Sequence, residues 1–164
     1  MSDLQSLYQT IILEHSKARH GAAPLTSLVD AVALGTERGV AVAESHQINT
    51  SCGDEITLRL TLDSRAAGEA TVTDLSWCGE GCSISQASAS ILWDSLQGLD
   101  ATAARALLDN FRDMLRSRGK IEPDEEILGD AAAFGGVSRY PARVKCAMLP
   151  WVAFEAALVE AESR

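Results

Sequence analysis

Three segments in the first half of the chain have the apolar patterning of β-strands. Residues 55–63 alternate strictly between aliphatic and polar side chains, which predicts a strand with one buried face. Residues 70–78 predict a second strand, and a change of apolar parity between Val72 and Leu75 predicts a β-bulge within it. Residues 40–48 predict a third, more weakly patterned strand. We expect these strands to form an antiparallel meander with one face to cover.

The pattern before and after these strands is helical. Residues 3–17 carry apolar side chains at helical spacing, and residues 83–97 predict a small-residue-rich helix that ends at Gly98. Asp100 can cap the next helix, which ends at Gly119. The buried stripe expected on that helix consists of Leu107, Leu108, Phe111, Met114 and Leu115.

The last third of the chain predicts one short and one long helix. Residues 122–128 form a short acidic helix, the glycine pair at residues 135–136 predicts a break, and residues 140–162 predict the final helix. Pro150 removes a backbone N–H, so we expect a kink or a helix restart there. Strands followed by helices predict an α+β fold, a small antiparallel three-stranded sheet with helices packed on one face.

Composition limits the classes of partner. The 164 residues fit one domain, residues 1–164, and a hydrophobic content of 46% is sufficient for a core. The net charge of -9 and the absence of a Lys/Arg cluster argue against nucleic-acid and membrane partners. We find no secretory signal and no apolar run of ~20 residues, so we expect a cytoplasmic protein. Its four cysteines are then expected to be reduced.

A thiol and a carboxylate flank one glycine in the middle of the chain. In an extended segment, Cys52 and Asp54 would point the same way, because side chains at i and i+2 share a face. Gly53 between them removes a side chain where the backbone has to approach something closely. This pattern offers one sulfur and one oxygen ligand to the same point.

Two further cysteines lie in settings that favour anionic sulfur. Cys82 follows a glycine-rich turn at the start of a predicted helix, whose free N–H groups and dipole favour thiolate. Cys146 follows Arg143 and Lys145. With Cys52 and Asp54 they supply three sulfurs and one oxygen, a set that suits tetrahedral Zn²⁺. The ligand charges exceed that of the dication by two, so the site needs cations nearby, and Arg143 and Lys145 are the candidates.

The residues alone leave other interpretations open. Unpaired cysteines often pack as small buried hydrophobes, and Asp54 after a glycine is often only a turn residue. The cysteines come from separate elements, so their spacing is weak evidence for a shared site. His46 lies near the first-cysteine loop and is a weaker candidate ligand.

Three motifs resemble those of a known family. N-T-S-C-G-D at residues 49–54 is similar to N-P-x-C-G-D, and G-E-G-C-S-I-S-Q-A-S-A-S at residues 79–90 is similar to G-x-G-C-x-I-S-x-A-S-x-S. G-V-S-R-Y-P-A-R-V-K-C-A at residues 136–147 is similar to G-V-x-x-x-P-x-R-x-K-C-A. These motifs resemble the U-type iron-sulfur cluster assembly proteins, over nearly the whole chain. Lys145, where IscU proteins carry His, and the helical region of residues 101–133 resemble the SufU branch.

The resemblance implies a SufE/IscU-like fold and a zinc-dependent sulfurtransferase. A PLP-dependent cysteine desulfurase of the SufS type would donate persulfide sulfur to Cys52. One Zn²⁺ per chain would be held by Cys52, Asp54, Cys82 and Cys146, with electrostatic support from Arg143. A downstream iron-sulfur scaffold or another sulfur acceptor would then receive the sulfur.

The chain departs from the family pattern at two positions, and its residues also suit two other functions. Thr50 replaces the family's proline, and Cys78 is an additional thiol, either a spare strand residue or a resolving cysteine for a persulfide. One alternative function is a scaffold that builds an Fe-S cluster on the same cysteines, and the other is a purely structural zinc module.

Overall fold

The sheet forms as the alternation of apolar residues predicts. In the computed structural model, which describes residues 3–164, three antiparallel strands have the order β1-β2-β3. They span Ala41–Asn49 (β1), Asp54–Asp63 (β2) and Thr71–Glu80 (β3). The aliphatic residues of β2 are buried, and its polar residues after Asp54 are partly or fully exposed. The predicted bulge is confirmed, because Thr61 pairs with Asp74 while Leu62 pairs with Val72.

Helices surround this sheet and confirm the predicted α+β class. They span Asp3–Ala18 (α1), Leu28–Arg38 (α2), Ser83–Leu96 (α3), Ala101–Arg116 (α4), Glu125–Leu128 (α5) and Pro141–Glu162 (α6), with a 3-10 helix at Gly129–Arg139. The capping prediction is confirmed, since the Asp100 side chain accepts a hydrogen bond from the Ala103 N–H at 2.8 Å. The predicted stripe of α4 is buried as well.

The core lies between the sheet and helices α3, α4 and α6. Helix α6 packs across β1 and β2, and α3 packs between α1 and α6. Phe111 of α4 stacks on Trp151 of α6 with ring centroids 4.1 Å apart, and Trp77 of β3 is also buried. The helices that cover the sheet's apolar face therefore also bring the start of α3 and the start of α6 to the same end of the sheet.

Helix α2 was not predicted, and it lies on the other face of the sheet. The Ser27 hydroxyl caps it by accepting from the Asp30 N–H, and Gly39 ends it in the left-handed conformation. Gly35 lies so close to Val42 of β1 that a Cβ atom there would be 2.7 Å from a valine methyl. The apolar pattern of α2 is not confined to one face, since Val29 is 79% exposed. This explains why periodicity did not reveal the helix.

Two predictions about chain breaks are wrong. The 3-10 helix continues through residues 135–136. At Gly135 the glycine serves packing, because a Cβ atom there would lie 2.3 Å from the Pro123 ring. The predicted helix restart at Pro150 is also wrong, since α6 is continuous and Pro150 lies inside it, buried in the core. Packing against the sheet outweighs the one hydrogen bond that this proline removes; a kink at Pro150 stays a prediction.

Among the helices of residues 3–164, none is both long enough and apolar enough to cross a bilayer.

Candidate metal centre

Cys52 lies in an exposed turn between β1 and β2. The backbone N–H groups of Cys52 and Gly53 both donate to the Asn49 carbonyl, at 3.3 and 2.8 Å. Gly53 has a φ of 77°, and apart from its chain neighbours Cys52 and Asp54 no atom lies within 4 Å of where its Cβ would be. The expected extended geometry is therefore wrong, since residues 50–53 form a turn, and the close approach expected at Gly53 stays a prediction. The glycine is suited to this position because it tolerates a positive φ at low cost.

Asp54 opens β2 and directs its carboxylate into the protein, where the residue is only 2% exposed. One carboxylate oxygen accepts a hydrogen bond from the Cys82 N–H at 2.9 Å, and the other lies 3.5 Å from the Cys82 Sγ. In the part of the chain that the structure describes, no Lys or Arg pairs with Asp54. A buried carboxylate in contact with thiols and an amide, but with no cation, fits a metal ligand.

Cys82 occupies the N-cap position of α3, as the sequence predicts. It has extended backbone angles of -70° and 170°, and its side chain makes no capping hydrogen bond. The Ser85 hydroxyl donates to the Cys82 carbonyl at 3.1 Å and so closes the first turn around it. The thiol is left exposed beside the positive end of the helix dipole.

Cys146 completes the cluster from the first half of α6. It is 7% exposed, and its Sγ lies 3.5 Å from the Cys52 Sγ. That separation is far beyond a disulfide bond length, so both thiols are free. Ligand atoms of Cys52, Asp54 and Cys146 lie within 4.8 Å of one another, and Cys82 joins them through its contact with Asp54. The structure thus brings all four predicted ligands together.

The protonation of this cluster follows from burial and hydrogen bonding. Burial by itself raises the pKa of the Asp54 carboxyl, but hydrogen bonds from the Cys52 thiol and the Cys82 N–H outweigh it and hold that pKa below its ordinary value. Burial raises the pKa of the Cys146 thiol, and its hydrogen bonds with Asp54 and Cys52 raise it further. A bound dication offsets the raised thiol pKa, because it favours the thiolate form of its ligands. The donor set fits Zn²⁺.

The two predicted cations lie at the surface near the start of α6. The Arg143 guanidinium is 5.2 Å from the centre of the Tyr140 ring, and Lys145 is exposed. None of the ion pairs formed by residues 3–164 involves either side chain. The structure therefore places Arg143 against an aromatic ring, and its electrostatic role at the cluster stays a prediction.

The weaker candidate ligand, His46, and the additional thiol, Cys78, lie on the other face of the sheet. His46 of β1 and Cys78 of β3 both pair with Thr57, whose side chain alternates with those of the buried residues of β2. His46 contacts Glu55 at 3.3 Å. Because Asp54 points to the opposite, buried face, the sheet separates both candidates from the cluster.

Asn49 and Gly81 are site residues whose contacts with the ligands the sequence does not predict, although Gly81 was expected in the turn before Cys82. The Asn49 side chain accepts from the Ser51 N–H at 3.1 Å, and its amide lies 3.9 Å from the Cys146 Sγ. A Cβ atom on Gly81 would lie 2.6 Å from an Asp54 carboxylate oxygen. An Asn before a turn is a recognisable signal, whereas the close approach at Gly81 becomes evident only in the fold.

Comparison with known proteins identifies the family. Residues 29–147 match the model of the NifU-like N terminal domain, which is well over half of the chain. The chain belongs to this family of U-type iron-sulfur cluster assembly proteins. The predicted resemblance is thereby confirmed.

Two curated relatives in the family carry different names. The zinc-dependent sulfurtransferase SufU of Bacillus subtilis is 35% identical over 161 residues, which cover 98% of this chain and 95% of that protein. The iron-sulfur cluster assembly scaffold protein IscU of Streptococcus pyogenes is 34% identical over 158 residues, 96% of this chain and 86% of that protein. Overall similarity alone does not choose between the two functions.

A solved structure of the family has the same architecture. FiSufU of Fervidobacterium islandicum, a candidate iron-sulfur cluster assembly scaffold for the SUF system, superposes with a TM-score of 0.68 at 31% identity. The match covers 90% of this chain and 93% of that one. The sheet and helices described above are therefore those of the family.

Proposed function

We propose that this protein is a zinc-dependent sulfurtransferase of iron-sulfur cluster assembly. Its donor would be a PLP-dependent cysteine desulfurase of the SufS type, and its acceptor group the Cys52 thiol. One observation carries the proposal: the Cys52 and Cys146 thiols and the Asp54 carboxylate lie within 4.8 Å of one another, and the Cys82 thiol contacts that carboxylate. Within this cluster Cys52 belongs to an exposed turn, whereas Asp54 and Cys146 are buried. That arrangement provides fixed ligands and one ligand able to move.

The proposed metal ligands are Cys52, Asp54, Cys82 and Cys146, which would hold one Zn²⁺ per chain. When bound, the metal would keep the thiols deprotonated at neutral pH. Asp54 is fixed by the strand and by the Cys82 N–H, and Cys146 by its helix. The backbone at Cys52 belongs to a turn closed on Asn49, without the strand or helix that fixes Asp54 and Cys146, so Cys52 is the ligand with the least constrained backbone.

The proposed transfer is a thiol exchange at sulfur. The Cys52 thiolate attacks the outer sulfur of the desulfurase persulfide, and a new S–S bond forms as the old one breaks. The desulfurase thiolate leaves with the electron pair, so the step needs no added oxidant or reductant. Cys52 then carries the persulfide at the surface. A downstream Fe-S scaffold or another acceptor then takes the sulfur. We expect this to occur in the cytoplasm, because its reducing conditions keep thiols free.

Arg143 has a proposed supporting role. It lies one helical turn before Cys146 on α6 and stacks on Tyr140 at the surface. Four anionic ligands around a dication leave an excess of negative charge, which an adjacent guanidinium offsets. We propose that Arg143 supports the site electrostatically and assists the approach of the persulfide.

A scaffold function is the second candidate, because a relative of nearly equal identity carries the name IscU. Thiolates bind iron-sulfur clusters as readily as zinc, so the ligands suit both. Lys145 favours transfer, because it occupies the position where IscU scaffolds have histidine.

Desulfurase turnover provides the test. Zinc-loaded protein should accelerate alanine release from cysteine by a SufS-type desulfurase, and Cys52→Ala should abolish that acceleration. Cys78→Ser is the matched control, because Cys78 lies on the other face of the sheet, and it should act like the wild type. Unchanged turnover with wild-type protein would contradict the proposal, and a visible-absorbing cluster passed to an apo-protein would favour the scaffold.

A further inference from the structure

A second group of metal-binding side chains lies away from the cysteines. It joins His15 at the end of α1, His20 in the following loop, Asp94 of α3 and Asp130 of the 3-10 helix. Ligand atoms of the two histidines and Asp94 lie within 4.8 Å of one another. Asp94 and Cys82 are on the same helix, roughly 18 Å apart at 1.5 Å per residue. The two clusters are therefore separate.

The His15 ring is oriented in the way that a ligand histidine requires. Its Nδ1 lies 2.8 Å from the hydroxyl of Ser90, which is completely buried. Its Nε2 points toward Asp130 at 3.0 Å and Asp94 at 3.9 Å. Ligand histidines usually hydrogen-bond through their second nitrogen, which sets the tautomer and the ring orientation. Ser90 Oγ can take that role here.

The spacing of the donor atoms matches a small cation. His20 Nδ1 lies 2.9 Å from an Asp94 oxygen, and the two separations from His15 Nε2 are 3.0 and 3.9 Å. Tetrahedral zinc with ligands at about 2.0–2.1 Å places neighbouring donors about 3.3 Å apart. The observed separations bracket that value, so only small side-chain shifts are needed.

The charge and access of the cluster also suit a dication. Two neutral imidazoles and two carboxylates balance a divalent ion, in contrast to the cysteine centre, where the ligand charge exceeds it. Imidazole and carboxylate favour zinc and similar transition metals. A cavity of about 240 Å³, lined by His15, His20 and Asp130, opens beside the cluster and provides an entry path.

We propose that His15, His20, Asp94 and Asp130 form a second site for a divalent transition-metal ion such as Zn²⁺. Its ligands come from α1, the loop after it, α3 and the 3-10 helix, so the ion would tie the N-terminal helix to the body of the protein. This proposal does not depend on sulfur transfer or on the cysteine ligands.

Zinc stoichiometry tests the second site. Metal-free protein would be titrated with Zn²⁺ by calorimetry, and the wild type should bind two ions per chain. His20→Asn and Asp94→Asn, both at partly exposed positions, should each weaken the second ion at least about tenfold. His46→Asn is the matched control, because His46 also contacts a carboxylate but lies in no such cluster, and it should still bind two.

Cobalt distinguishes the two sites by spectrum. Thiolate-to-cobalt charge-transfer absorption belongs to the cysteine centre alone, and it should be unchanged in His20→Asn and Asp94→Asn, which also shows that they fold. In Cys82→Ser/Cys146→Ser protein, one Co²⁺ should still bind without that absorption. Saturation of the wild type at one ion, or a second ion that both Asn variants retain, would overturn the proposal.

Discussion

At the scale of single residues, the cysteine centre depends on two glycines that serve different needs. Gly53 adopts a positive φ in open space and so shapes the turn that carries Cys52. Gly81 makes room, because a Cβ atom there would lie 2.4 Å from the Ser85 hydroxyl and 2.6 Å from an Asp54 oxygen. At Gly81 an added side chain would therefore collide with an atom that we assign to the metal.

Replacing Gly81 by alanine should therefore damage the centre. The added methyl group has to displace Asp54 or Ser85, and such overpacking costs about 1–3 kcal/mol. We expect Gly81→Ala to lower zinc affinity, measured by competition with a chelator, and to lower the free energy of unfolding in denaturant. Wild-type zinc affinity in this variant would show that the Asp54 position is not critical.

Gly136→Ala is the control for that substitution. Gly136 lies in the 3-10 helix with no atom within 4 Å of a Cβ position, and it has no positive φ. We expect its stability to change by about 1 kcal/mol or less, and its zinc affinity to stay at the wild-type value.

At the scale of elements, one buried serine connects the two helices that carry Cys82 and Cys146. The Ser88 hydroxyl of α3 donates to the Ala147 carbonyl of α6 at 2.5 Å and accepts from the Trp151 Nε1–H at 3.0 Å. Ser88 and Trp151 are both completely buried. This pair of bonds fixes how α3 and α6 meet beside the metal ligands.

Ser88→Ala should destabilise the protein by about 1–3 kcal/mol, since it leaves the indole N–H buried without a partner. Chemical denaturation measures this change. Ser95→Ala on the same helix is the comparison: its hydroxyl bonds only the Ile91 carbonyl within α3, at 2.7 Å, and alanine there should be nearly neutral. Equal losses in the two variants would rule out a special role for the bridge between helices.

The cap of α4 allows a prediction that separates stability from metal binding. Asp100→Ala removes the acceptor of the Ala103 N–H and should cost about 1 kcal/mol in the free energy of unfolding. Zinc affinity should be unchanged, because α4 carries none of the proposed ligands. Asp113→Ala, an exposed position within the same helix, is the control and should cost less than the cap.

At the scale of the whole molecule, local patterns predicted elements better than they predicted breaks. The alternation in residues 55–63 reports a face that is buried, and it located β2 to within one residue. The break predicted at Gly135 and the helix restart predicted at Pro150 are wrong because their neighbours in space, Pro123 and the core around α6, decide the local conformation. Helix α2 escaped notice because apolar residues such as Val29 remain exposed.

The candidate site, like the fold, could be predicted from the sequence only in part. Cys52, Asp54, Cys82 and Cys146 were predicted from residue chemistry and motif resemblance, and only the fold brings them together. The group around His15 and His20 was not recognised in the sequence. Its ligands come from three separate parts of the chain, around residues 15–20, at Asp94 and at Asp130, and no local motif joins them.

Because the proposed zinc ligands come from a turn, β2, α3 and α6, metal should stabilise the entire domain. At a free zinc concentration one hundred times the dissociation constant, the gain is about 2.7 kcal/mol. Unfolding measured with zinc and with a chelator should show this difference in Asp100→Ala as in the wild type. In Cys146→Ser the cysteine-site part of the gain should disappear, and an undiminished gain there would contradict the ligand assignment.

Cys52 is the proposed acceptor of sulfur, and mapping the persulfide tests this role most directly. Zinc-loaded protein would be incubated with cysteine and a SufS-type desulfurase, alkylated, digested and analysed by mass spectrometry. We predict one additional sulfur on the peptide that contains Cys52, and none in Cys52→Ala, while Cys78→Ser retains it. An unmodified Cys52, or persulfide on Cys82 or Cys146 instead, would contradict the account.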